Sequence, residues 1–423
     1  MFKRRNAYIS GAILALVGVL LAGCGQPGAA GDRLVIISSW TRGDQGEGLN
    51  AMYEVFKQRH REVEINNLAE NLGSAADAEA LLASRMQQAE SPDSFQVRAG
   101  QELIDVWVKT DQLEPVTFLF KDNGWIAKYP PGLIDLLSYN GEIWSVPVDA
   151  QRSNVLWYNK LVFADTGLKP PRDLAEFFMV AEALKAKGLI PLALGDKESW
   201  PATQLFESVL LGALGPKAYN GLWDGSTDWN ATGVKSALQT FARMLDYINR
   251  DHATRTWDEA AQLVASGNAA MNVMGGWADY FFKSEDLAPN IEYAWLPAPG
   301  TQGTFQLRSD AFVLPKGAPD RDNAIGWLRV VGSKEGQDGF NPLNGSIPVR
   351  ADADGGLYDE YQRSAISDLA SDQIAPSLAN GAAAPAEWLN SVNQIVIRFV
   401  EDKDVATAQQ GLAQTCKAAE VCK

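Results

Sequence analysis

At 423 residues the chain is too long for a single small module, since domains usually run to about 100–200 residues, and it holds two or three domains or one large interlocked fold. Hydrophobic residues at 46% and charged residues at 21% exclude global disorder, because such a chain has enough apolar surface to offset the entropy of ordering it. The 37 Lys and Arg against 52 Asp and Glu leave a net charge of −15, which repels phosphate backbones and argues against nucleic acid as a partner, while 2 His and 3 Cys are too few for a zinc site built from those residues or for a disulfide-dense scaffold.

Residues 1–23 read as an export signal, with Lys3, Arg4 and Arg5 ahead of an apolar run from Ile13 to Leu21 that is too short to span a bilayer. The run ends at Leu21-Ala22-Gly23-Cys24, which resembles the bacterial lipobox and so implies that Cys24 is lipidated. Residues 24–32, rich in Gly, Ala and Pro, then form a tether that holds the body off the membrane. In the body, Leu34–Ser38 reads as a buried strand, followed by a Gly-rich turn and a helix carrying Leu49, Met52, Tyr53 and Phe56 at helical spacing. A second strand fits Val63–Asn67 and a second helix Asp77–Ala89, so the alternation argues an α/β layer with a largely parallel sheet. Leu174, Phe177, Phe178, Ala181 and Leu184 place a helix over Asp173–Lys187, and the same pattern recurs over Val234–Ile248. Thr256 and Glu259 have capping-box spacing, Gly267 can close the helix they open, and Ala269–Met274 is strand-like. The Pro- and Gly-punctuated stretch Leu296–Gly303 marks a change of direction, and Asn323–Val331 and Trp388–Val400 are further helices. Cys416 and Cys422 are six residues apart, a rise of about 9 Å in continuous helix against a limit of about 7 Å between bridged Cα atoms. A bridge between them, the favoured reading over two free thiols, therefore requires the last helix to end there.

The catalytic motifs fail on spacing. Gly43, Gly46 and Gly48 give G-x-x-G-x-G with no Lys-Ser or Lys-Thr after it, which fits a tight turn better than a phosphate loop. The stretches from Asp224 to Asn230 and from Asp352 to Gly356 lack the Gly and Glu positions of a calcium loop and read as surface turns. His60 and His252 sit among Arg and acidic residues as solvated helix ends, and no G-x-S-x-G elbow is present. No metal or cofactor is expected. A glycosidase needs only two carboxylates, so the residues alone leave a hydrolase open.

Several of the 13 Trp stand beside polar groups, as in Ser38-Ser39-Trp40, Trp144-Ser145, Trp223-Asp224 and Gly275-Gly276-Trp277. A sugar presents flat C–H faces and a rim of hydroxyls, so its site needs aromatic planes beside fixed polar groups. From about Arg33 to Val400 the chain resembles the extracellular sugar-binding proteins of bacterial ABC importers, especially the glucose/galactose-binding branch. The resemblance rests on Asp93–Gly100, Gly141–Val148, Arg152–Tyr158, Asn272–Trp277 and Gly332–Pro342.

This resemblance implies an α/β periplasmic-binding-protein fold of two lobes, with three crossings near Pro147–Gln151, Asp310–Leu314 and Ile347–Arg350 and the ligand in the cleft between lobes. One lobe is expected to comprise 33–148 plus 313–348, the other 149–312 plus 349–423. It also implies no catalysis, a monomer, and delivery of a mono- or small oligosaccharide to a permease with a cytoplasmic ATPase. A non-sugar solute such as a sugar acid or polyol is the alternative binding reading. Carried over residue by residue, Trp40 and Trp223 stack on the pyranose while Gln96 and Asp310 bind hydroxyls. The pattern departs at Ser39, where a second Trp is usual, at Gln45 and Gly276, where acids are, at Arg98 and Asn380, where His is, and at Asn344, where Lys is. Trp277 adjoins the departing Gly276. Loss of Trp at 39 and of Asp at 276 is expected to enlarge the pocket, and Arg98 either ligates a carboxylate or sugar hydroxyls or forms a structural pair with an acidic neighbour.

Overall fold

The computed structural model describes residues 31–72 and 74–422. The expected export signal, Cys24 and residues 25–30 of the tether lie outside the described residues. Among the described residues, no helix is long and apolar enough to cross a membrane.

The first half of the molecule is built on a sheet in which Glu64–Asn67, Arg33–Ile37, Ser94–Arg98, Asp310–Pro315 and Leu113–Glu114 are successive neighbours, with Ser145–Pro147 also pairing Asp310–Pro315. The Arg33 strand is parallel to both its neighbours, as the strand and helix alternation at the start of the body requires. The Asp310 strand runs antiparallel to the Ser94 strand. In the second half the order is Ile190–Ala193, Ala269–Met274, Val155–Asn159, Tyr293–Pro297. Here the expectation of a largely parallel sheet does not carry over, because Val155–Asn159 is antiparallel to the strands on both its sides. A smaller sheet of Gln373–Pro376, Thr304–Arg308 and Gln151–Arg152 completes this half.

Three passages join the halves side by side. The chain leaves the first sheet at Pro147 and enters the small sheet at Gln151. It returns from Arg308 to Asp310 through Ser309 alone, so the whole Asp310 strand belongs to the first sheet, three residues earlier than the expected start at 313. After the helix Lys334–Asn344, Ile347 pairs with Ala150 of the first passage.

Helix starts follow local chemistry. Asp173 accepts from Glu176 N–H at 2.8 Å to open Leu174–Ala186. Thr256 and Glu259 form the complete capping box of Trp257–Ala265. The glycine cluster proves to be helix rather than turn, since the helix runs from Gly43 to Arg59. A Cβ on Gly48 would lie 3.0 Å from the Phe340 ring and 3.1 Å from its carbonyl oxygen, so the missing side chain lets this helix approach Lys334–Asn344 closely. At the C-terminus Val405–Ala418 stops before Cys422, Glu420 takes a positive φ, and the Cys416–Cys422 disulfide forms across a Cα separation of 5.3 Å.

Gly48→Leu should therefore destabilise the fold by about 1–3 kcal/mol through overpacking, whereas Asn50→Leu, exposed on the same helix, should stay within about 0.5 kcal/mol. Chemical denaturation midpoints check the pair, and equal stabilities would contradict the close helix approach.

Candidate binding cleft

A cavity of about 960 Å³ opens between the two halves. Its first wall comes from Asp44 and Gln45 at the start of one helix, Glu79 on the next, Arg98 at the end of its strand, and Glu102 and Trp107 on the π-helical turn Glu102–Val108. The facing wall comes from Gln151, Trp200, Trp257, Trp277, Arg308 and the loop around Asn380. The volume is at the upper end of the roughly 300–1,000 Å³ of ligand pockets.

Of the residues expected from the sequence, Gln45, Arg98, Trp277, Asn344 and Asn380 line this cavity. Gln96 and Asp310 lie together in a small recess beside Arg98. Gln96 donates through Nε2 to Asp310 Oδ1 at 3.2 Å, and its Oε1 accepts from Ser38 Oγ at 2.9 Å and from Ser39 N–H at 3.2 Å. The other Asp310 oxygen faces Arg308 at 2.8 Å.

Trp40 and Trp223 do not line the cavity, which corrects the expectation that they are its stacking platforms. Trp40 is 3% exposed, with Phe340 at 4.5 Å and Phe312 at 6.0 Å between ring centroids. Trp223 is wedged among Tyr219, Trp229 and Trp388 at 5.3–5.7 Å. Both rings are buried among aromatic partners, 3% and 7% exposed. Gly276 likewise does not enlarge the pocket, because a Cβ there would sit 2.5 Å from the Tyr361 hydroxyl, which fills that space.

The aromatic surface of the cavity is instead supplied by Trp200, Trp257 and Trp277, all half-buried, with Trp107 opposite. Trp200 and Trp277 meet edge to face at 6.0 Å, and the Arg308 guanidinium stands 5.8 Å over the Trp277 ring. Sequence reasoning missed Trp200 and Trp257, although a signal existed. Each opens a helix that follows a strand or a cap, and binding residues of α/β proteins gather at such strand-to-helix turns.

The charges in the cavity are largely matched. Arg98 bonds Glu102 at 2.9 Å and faces Glu79 at 3.9 Å. Burial opposes its charge, but Glu102, Asp310 and Glu79 outweigh that and raise its pKa further. Burial raises the Asp44 carboxyl, against the pull of the Gln45 backbone N–H. Among the described residues no cluster of His, Cys, Asp and Glu has the arrangement to hold a metal.

The family described as bacterial extracellular solute-binding protein matches residues 40–338. An ABC transporter extracellular-binding protein of Pyrococcus horikoshii, described as uncharacterized, is 36% identical over 91% of this chain and 87% of its own length. The xylose/arabinose-binding protein XacG of Haloferax volcanii is 27% identical over 85% of this chain and 79% of its own. Among solved structures, the bacterial solute receptor AcbH, described as exclusive for β-D-galactopyranose, superposes with a TM-score of 0.79 at 18% identity, covering 92% of this chain and 99% of that one. That superposition shows the two-lobe solute-binding fold.

Trp40→Ala should cost about 3–5 kcal/mol of stability as a core truncation, while Trp277→Ala, at the half-buried cavity wall, should cost much less. Thermal denaturation checks the contrast. A Trp40→Ala protein as stable as the parent would return Trp40 to the list of ligand contacts.

Proposed function

Because the chain belongs to the bacterial extracellular solute-binding protein family, we propose that it is the capture component of an ABC importer and that its ligand is a neutral mono- or small oligosaccharide. One observation carries this reading: a cavity walled from both halves that sets indole faces from Trp200, Trp257 and Trp277 against fixed amide, guanidinium and carboxylate groups. Indole covers the C–H face of a pyranose while Gln45, Asn344 and Asn380 reach its hydroxyls. The names of relatives that bind xylose or arabinose, and of a structural neighbour that takes galactopyranose, support the same class.

Capture proceeds by closure of the halves over the sugar. A ligand shifts that equilibrium only through contacts that differ between open and closed forms, which a site shared by both walls provides. The family captures solutes without converting them, so the product of closure is a loaded receptor for the permease. A lipid on Cys24 and the following tether would keep this monomeric receptor beside its permease.

The charges support the neutral class. Arg98 and Arg308 already face Glu102 and Asp310, so an anionic ligand would have to share each guanidinium it used with a carboxylate already in place.

A thermal-shift screen tests the reading with glucose, galactose, xylose, arabinose, maltose and glucuronate. A sugar at 100 times its dissociation constant should stabilise the fold by about 2.7 kcal/mol, and Trp277→Ala should abolish that gain. Stabilisation by glucuronate alone, or by none of the six, would overturn the neutral-sugar assignment.

A further inference from the structure

Behind the cavity wall, Glu207 lies fully buried in the helix Trp200–Asp224. Every group that reaches its carboxylate can donate to it, and only the Ser377 and Tyr219 hydroxyls can also accept. Ser377 Oγ–H donates to Oε1 at 2.8 Å, and Leu378 N–H donates to Oε2 with Ala379 N–H at 3.3 Å from the same oxygen. The Tyr219 hydroxyl is 3.1 Å from Oε2 and divides its proton between that oxygen and the Pro376 carbonyl at 3.0 Å. An ionised carboxylate, which only accepts, suits all of these partners.

Residues 377–379 open a loop that spans the cleft. Ala379, Asn380 and Gly381 line the cavity. Asn380 Nδ2 donates to Ser377 Oγ at 2.9 Å and to Ser153 Oγ at 3.2 Å. Further along, the Gly381 carbonyl accepts from Glu102 N–H at 3.3 Å and the Ala382 carbonyl from Gln101 N–H at 3.1 Å. Gly100, at φ +101°, leaves no room for a side chain, since a Cβ would lie 2.6 Å from Ala382 Cα. Glu102 in turn holds Arg98. A continuous strap therefore runs from Glu207 in one half to the Arg98 and Glu102 pair in the other.

We propose that Glu207 is a positioning residue for ligand capture: its carboxylate fixes this strap, and with it Asn380 and the Arg98–Glu102 pair, in the geometry that accepts the ligand, and protonation loosens it. A proton on Oε1 could be donated only to Ser377 Oγ, turning the serine hydroxyl away from its acceptor. A proton on Oε2 could pass only to the Tyr219 hydroxyl, which would then donate to the Pro376 carbonyl, and the resulting acid oxygen is a poorer acceptor than the carboxylate for the two backbone N–H groups, which cannot reverse. Burial pushes the Glu207 carboxyl up to about 7, against the hydrogen bonds from Ser377, Leu378, Tyr219 and Ala379. Tyr219 is the ionisable side chain in contact with it, and burial and then the Glu207 charge push that phenol upward too. The other elements packed there contribute the neutral groups Ser377, the Pro376 carbonyl and Gln306, which bonds Tyr219 at 3.0 Å.

The signs are opposed. With the folded pKa at about 7 and the ordinary value at 4.5, the contribution of this group to stability is fullest below 4.5 and is lost as pH rises through about 7. Capture should change the other way, improving as pH rises through the same interval.

The binding arm of the test rests on the neutral-sugar reading, and the amide arm does not. Calorimetric titration uses the full chain and whichever of galactose, glucose, xylose, arabinose or maltose gives the largest thermal shift, one pH unit below and one above the midpoint. The expected result is binding about fivefold or more weaker at the lower pH, and weak and independent of pH in Glu207→Gln. In the sugar-free protein the backbone amide signals of Leu378, Ala379 and Glu102 should titrate together near pH 7, with no titration in Glu207→Gln. Ser377→Ala, which removes one donor to the anion and keeps the acid, should move that midpoint upward and serves if Glu207→Gln fails to fold. Amides that do not titrate overturn the proposal, as does pH-independent affinity beside titrating amides. Titrating amides in a protein that binds none of these sugars would support the strap and defeat only the sugar assignment.

Discussion

The cleft exists because three strands of chain pass between the halves at one place and are bound to each other there. Asp149 and Ala150 are the common partners. Asp149 Oδ1 accepts from Asp310 N–H at 2.7 Å and the Asp149 carbonyl from Ser309 Oγ at 2.6 Å, while the adjacent Ala150 pairs with Ile347. Burial first, and then the negative charge of Asp310, hold the Asp149 carboxyl well above the usual carboxylate range, with Arg308 opposing. This junction sets the cleft floor, since Asp310 and Arg308, which face the recess and the cavity, are the residues on either side of the second passage.

Fixing that floor determines what can be recognised above it. Gln96, Asp310 and Arg308 are joined to each other, and Arg98 to Glu102, before any ligand arrives. Polar groups held in this way lose little freedom when a hydroxyl joins them, which lowers the ordering cost of binding. The same mutual satisfaction makes the site selective against charge. A neutral hydroxyl can insert into such a network as donor and acceptor, whereas a free carboxylate must compete with acidic partners already in place.

The secondary structure was legible where its signals were local. Asp173 and the Thr256 capping box opened helices where side-chain chemistry places them, and the spacing of Leu49, Met52 and Phe56 identified a buried helical face. The two Cys could bridge only if the last helix stopped, and it does. Part of the candidate cavity lining was legible too, since Gln45, Arg98, Asn344 and Asn380, reached through the resemblance, and Trp277, noted beside polar groups, stand on its walls. Illegible was whatever depends on how elements pack. Trp40 and Trp223 stand beside polar residues in sequence, yet Phe340 and Phe312 enclose the first and Trp229 and Trp388 the second. The glycines at 43, 46 and 48 looked like a turn because composition records their flexibility but not the helix that crowds Gly48. Trp200 and Trp257 carry only the signal of a helix start, and the convergence of those starts makes them one surface.

Glu207 belongs to the same class of hidden information. In sequence it is one acid within a largely apolar helix, a position that ordinarily argues against burial. Folding encloses it where a loop turns with unpaired backbone donors, and those N–H groups would be unsatisfied in an apolar wall. Burying a carboxylate there answers the donors of Leu378 and Ala379 but leaves a charge with no cation paired to it among the described residues. Leucine would suit the helix and strand the loop, while glutamate suits the loop and weakens the helix environment. The loop lies over the cavity and the helix meets it only through Trp200 at its start, two turns from Glu207, so the residue present is the one that favours the geometry of the cleft over the stability of the half that carries it.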